Sequence, residues 1–112
     1  MQLRICKMEE VPAGSMRQFD IKGHELIVAH INDRFFCLDA RCTHAGAPLA
    51  EGDLNGDILT CHWHYSQFVV SDGSVLRGPA NKHLKIYEII IKPTSRMSLL
   101  RYSIFRTLAP LT

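Results

Sequence analysis

No run of apolar residues in this 112-residue chain approaches the roughly 20 that span a bilayer, so no membrane span is expected. The opening residues, MQLRICKMEEVPAG, offer neither the long apolar stretch nor the small-residue cleavage site of a secretory signal, which leads us to expect a cytoplasmic, reducing compartment. Cysteine is too sparse for a disulfide scaffold: there are four, in a chain long enough to bury a real core without cross-links. Neither sign of charge dominates, with 13 Lys/Arg against 11 Asp/Glu. No broad basic patch or nucleic-acid-binding motif is visible, so nucleic acid is not an expected partner. Internal repeats and low-complexity segments are absent as well. A 46% hydrophobic and 21% charged composition is left, ordinary for one globular domain.

What is present reads as short strands separated by turns. The segments SMRQFDI (15–21), HELIVAHI (24–31), RFFCLD (34–39), DILTC (57–61), QFVV (67–70) and LKIYEIII (84–91) are rich in β-branched and aromatic residues, some with period-two alternation. Lys22-Gly23, Asn32-Asp33, Asn55-Gly56 and Asp72-Gly73 supply turn chemistry between them. This spacing predicts an all-β, antiparallel sandwich or small barrel. Only the end of the chain suggests a helix: Met97, Leu100, Ile104, Leu108 and Leu111 fall at helical spacing, with Ser95 as a cap and Pro110 as a stop.

Two of the cysteines, Cys6 and Cys37, lie in apolar stretches and read as buried thiols. Cys42 and Cys61 differ, because His44 follows the first as Cys-x-His and His64 follows the second as Cys-x-x-His. Each pair presents a thiolate and an imidazole from one loop, and two such loops supply four ligands to a metal centre. Gly46, Pro48 and the Asn55-Gly56 turn allow the loops to face each other. The spacing itself suits one zinc ion or two irons bridged by sulfide equally.

The surrounding residues carry a more specific signal. CTHAGAPL (42–49) followed by CHWHYSQF (61–68) closely resembles the two boxes of Rieske-type [2Fe–2S] proteins, and the likeness extends outward over roughly residues 1–92. The resemblance implies one [2Fe–2S] cluster, with Cys42 and Cys61 on one iron and His44 and His64 on the other. It also implies a β-sandwich or incomplete barrel over residues 1–94, a cluster-binding subdomain at about 40–68, and a covering loop containing Gly78 and Pro79. In quinol-oxidising members each box carries a further cysteine, where this chain has Ala47 and Trp63. The closer likeness is to soluble Rieske ferredoxins, one-electron carriers from a reductase to a terminal oxygenase. His62 stands where those proteins usually have proline, and Val69 where an acidic residue is common. In such a centre the electron is expected on the histidine-bound iron, with the imidazoles as its exit.

The remaining candidates have plainer readings beside the functional ones. His62 reads as a solvent-facing neighbour of the site, and His24, His30 and His83 as surface or strand histidines. Ser66 is either a loop hydroxyl or, by the resemblance, a hydrogen-bond donor to a cluster sulfide. Trp63 is expected as apolar cover that limits solvent access. Arg96, Arg101 and Arg106 make residues 95–112 a basic tail, whereas residues 1–92 hold ten Lys/Arg and eleven Asp/Glu. An electron carrier, a permanent small subunit of a larger oxidoreductase and a structural zinc module are the three functions these residues allow. No catalytic acid, base or nucleophile is evident, so catalysis by this chain itself is not expected.

Overall fold

The structure, a computed structural model, describes the backbone of residues 2–93 and 98–108 and the side chains of residues 4–89. The described residues form two antiparallel sheets. One contains β1 (Gln2–Lys7), β2 (Met16–Ile21), β3 (His24–Ile31), β4 (Arg34–Asp39), β9 (Ile86–Pro93) and β10 (Ser98–Leu108), in the order β1-β10-β9-β4-β3-β2. The other contains β5 (Asp53–Asn55), β6 (Ile58–Thr60), β7 (Gln67–Val69) and β8 (Val75–Arg77), in chain order. The expected all-β antiparallel architecture is therefore the one that forms.

Turn chemistry sets the register. Ile21 pairs with His24 and Ile31 with Arg34, so Lys22-Gly23 and Asn32-Asp33 are two-residue hairpin loops. All four of these turn residues have positive φ, the backbone hand that matches the twist of the flanking strands.

β3 is buried on both faces, which explains why its sequence reads as a nearly continuous apolar run. Ile27, Ala29 and Ile31 point into a core shared with Leu59 and Phe68 of the smaller sheet and with Val70 just beyond it. Leu26 and Val28 enter a second core with Ile5, Cys6, Phe35 and Cys37. One strand thereby clamps the small sheet to the large one, and burying so many aliphatic side chains is worth about 1.5–3 kcal/mol each.

The carboxyl end corrects the sequence expectation. Residues 98–108 are not helical but form β10, paired with β1 on one side and β9 on the other. Tyr102, Ile104, Phe105 and Thr107 are good strand formers, and two ready partner edges supply a hydrogen-bond ladder that a helical pattern cannot exploit. Ser95, Met97, Pro110 and Leu111, invoked for the helix, lie outside the described residues.

Candidate metal centre

β4 and β6 each deliver the chain into a short loop that begins with cysteine. In the first loop (42–48) the Cys42 amide donates to the Ala47 carbonyl at 2.9 Å, and the Gly46 amide donates to the Cys42 carbonyl at 2.9 Å. In the second (61–66) the Cys61 amide donates to the Ser66 carbonyl at 2.8 Å, and the Tyr65 amide to the Cys61 carbonyl at 2.9 Å. The residue four beyond the cysteine is left-handed in both, Gly46 at φ +70° and Tyr65 at φ +62°. The same turn is thus used twice, with the imidazole two residues after cysteine in one loop and three in the other. Gly52 keeps the loops close. A Cβ there would collide with the carbonyl of Thr60, the residue just before Cys61.

The structure separates the four predicted donors by depth. Cys42 and Cys61 are buried, 4% and 2% exposed, whereas His44 and His64 are exposed with ring centroids 5.1 Å apart, edge to face. Burial pushes the Cys42 thiol above its usual range, and the facing Cys61 thiol adds to the rise. The backbone N–H groups of His44 and Ala45 point at the Cys42 sulfur and oppose that shift. They are placed to stabilise a thiolate once a metal takes the proton's place. Among the described residues no three His, Cys, Asp or Glu side chains gather around one point. The donors divide into two buried sulfurs and two surface imidazoles, a division in keeping with a centre of two irons.

A third loop, with Gly78 and Pro79 joined by a cis peptide bond, is tied to both donor loops. The Ala80 amide donates to Ser66 Oγ at 2.9 Å, a buried bond, and Thr43 Oγ1 donates to the Lys82 carbonyl at 2.6 Å. Ser66 is 1% exposed and accepts twice, through its carbonyl and its hydroxyl oxygen, which leaves its own O–H proton to donate. Sequence reasoning did not find Thr43, Ala80 or Gly52. Nothing local marks the first two, since their partners are 39 and 14 residues away.

The other histidines are turned elsewhere. His62 Nε2 meets Asp53 Oδ2 at 2.9 Å on the surface. His30 stacks on Phe35 with centroids 4.1 Å apart, and its Nδ1 lies 2.8 Å from the Val11 carbonyl oxygen. His24 lines an open groove with Glu25, Asp39, Arg41 and Tyr87 on the large sheet, and His83 is half-buried. Trp63, expected as cover, is 55% exposed. Cys6 and Cys37 sit in the second core as free thiols, Cys6 pushed up to about 11 by burial and then by Glu10, and Cys37 raised further by its deeper burial. Both therefore stay protonated.

Among the described residues no helix is long and apolar enough to cross a membrane. Residues 1–88 match the Rieske [2Fe-2S] domain family. The ferredoxin subunit of 3-phenylpropionate/cinnamic acid dioxygenase from Photorhabdus laumondii is 33% identical over 92 residues, which cover 81% of this chain and 87% of that protein. The biphenyl dioxygenase ferredoxin subunit of a Pseudomonas species is 32% identical, covering 80% of this chain and 83% of its own. A solved complex of reduced oxygenase and oxidized ferredoxin in carbazole 1,9a-dioxygenase superposes with a TM-score of 0.82 at 27% identity, over 91% of this chain and 92% of the matched one. Two cysteine loops with a shared turn, sulfurs inside and imidazoles outside, agree with these likenesses: the chain belongs to the Rieske [2Fe–2S] domain family, and its cofactor is a [2Fe–2S] cluster.

Proposed function

We propose that Cys42 and Cys61 hold one iron and His44 and His64 the other, and that the protein carries single electrons from a reductase to a terminal oxygenase in the cytoplasm. The observation that carries this reading is the split in depth between the sulfurs and the imidazoles. When bound, the cluster accepts and gives up one electron without making or breaking bonds to the chain. The buried thiols keep water from the sulfur side, and the amides of His44 and Ala45 offset the charge there. His44 and His64 provide the exposed edges across which an electron leaves over a short distance. No side chain has to move a proton or attack a substrate, in keeping with relatives that are ferredoxin subunits of dioxygenase systems.

Metal analysis and reconstitution test this reading. Iron and acid-labile sulfide are expected in equal amounts, two of each per chain, and His64→Ala is expected to abolish the Rieske EPR signal of the reduced protein. The purified protein, given a reductase and an oxygenase component, is expected to sustain product formation that stops when it is left out. One zinc per chain from iron-replete cells, or turnover that does not depend on the protein, overturns it.

A further inference from the structure

Tyr65 is the anomaly of the site. It occupies the left-handed turn position that Gly46 fills in the sister loop, at φ +62°, a backbone conformation strained for a side chain and free for glycine. Among the described residues little packs on its ring, which is 63% exposed. Strained backbone of this kind clusters at functional sites. Trp63, on the other side of His64 in the chain, is exposed as well.

Charge lies at the margin of the site. Residues 42–48, 61–66 and 78–81 contain no Asp, Glu, Lys or Arg; Arg41 beside them is paired with Glu25 and bonded to the Gly46 carbonyl, His62 is engaged with Asp53, and Lys82 stands exposed at the edge of the third loop. Trp63 and Tyr65 flank His64 in the chain and are exposed as it is, so an acceptor that reaches the His64 edge approaches the loop that carries them. Exposed, rigid aromatic side chains at the centre of a contact are the usual sites of concentrated binding energy.

We propose that Tyr65 and Trp63 are the docking residues for the oxygenase component, recognised chiefly through apolar contact, with charge confined to the rim. The inference rests on the electron-carrier reading above and names the partner-selecting residues of that same site. Its occupant is the oxygenase because a structural neighbour at 27% identity forms a complex with one.

The test uses cluster-loaded Tyr65→Gly and Trp63→Ala proteins beside the wild type. The probes are the oxygenase components of the biphenyl, 3-phenylpropionate and carbazole systems. The KM for ferredoxin is expected to rise about tenfold in each variant. Spectrum, midpoint potential and oxidation by ferricyanide, which needs no docking face, are expected to stay unchanged, and the melting temperature of Tyr65→Gly to hold or rise. The wild-type KM is expected to change less than about twofold between roughly 0.05 and 0.5 M NaCl. An unchanged KM in both variants, a rise confined to the reductase step, a steep salt dependence, or cluster loss in Tyr65→Gly overturns the proposal. Wild-type protein that supports no oxygenase overturns the electron-carrier reading itself, an outcome distinct from active wild type with unaffected variants.

Discussion

The two cysteine loops share one backbone turn yet differ in how they are secured. The first has glycine at its left-handed corner and is tied to the third loop by Thr43, through a bond near the surface. The second forces Tyr65 into that corner and is tied by Ser66, through a bond out of reach of water. Identical hydrogen bonds around the two cysteines fix where the sulfurs lie, whereas the offset of one residue between His44 and His64 decides where the imidazoles lie. A repeated turn can therefore build a two-part site whose inner half is symmetric and whose outer half is not.

Removing that offset is the most severe way to break the comparison. The double variant His44→Ala/Ala45→His makes the first loop Cys-x-x-His like the second, and loss of the Rieske absorption and EPR signal is expected. Retention of both would show that the loops are equivalent out to their imidazoles.

The braces should separate next. Ser66→Ala leaves the Ala80 amide buried without a partner and is expected to cost about 1–3 kcal/mol, while Thr43→Val at the more exposed bond should cost less than about 1 kcal/mol. Thermal melts of the two proteins under one scan rate make the measurement. If the Ser66 hydroxyl proton also points at the cluster, the midpoint should fall by roughly 30–60 mV, the equivalent of about 1 kcal/mol for one electron. Voltammetry reads that shift directly.

The corners should differ by less. A Cβ built on Gly46 meets no atom within 4 Å, so Gly46→Ala pays only the backbone cost, about 1 kcal/mol of stability in a melt. Smallest of all is the neighbour of the second loop. His62 and Asp53 form an exposed pair, and His62→Ala is expected to change stability by no more than about 0.5 kcal/mol and to leave the absorption spectrum as it was.

Much of this was legible in the chain because the signals were local. Asn32-Asp33 and the runs HELIVAHI and RFFCLD became a hairpin with the expected bounds, β3 and β4. The spacing of Cys42, His44, Cys61 and His64 marked the loops that the fold then brought together. β5, DLN, and β8, VLR, escaped notice because they are short and carry one and two apolar residues, whereas the equally short β6 and β7 lie in the apolar runs DILTC and QFVV; β1 was read only as an apolar stretch around Cys6. β10 was misread as a helix because spacings of four, as at Leu100, Ile104 and Leu108, fit the two-residue period of a strand as well as a helical turn, and only the edges of β1 and β9 decide between them. The ties from Thr43 to Lys82 and from Ser66 to Ala80 have no local signature at all, being products of the closed fold.

The paired hydrogen bonds around each cysteine also bear on speed. A redox centre that changes charge forces nearby dipoles to re-aim, and this reorganisation is part of the barrier to electron transfer. Here the amide and carbonyl of both cysteines are already committed within their own loops, and Ser66 is held at two points. Little of the chain is free to follow the charge. With the ligands proposed above, the reorganisation falls mainly on water around the exposed imidazoles, and a partner docked there as proposed would lower the barrier by drying that surface as well as shorten the path.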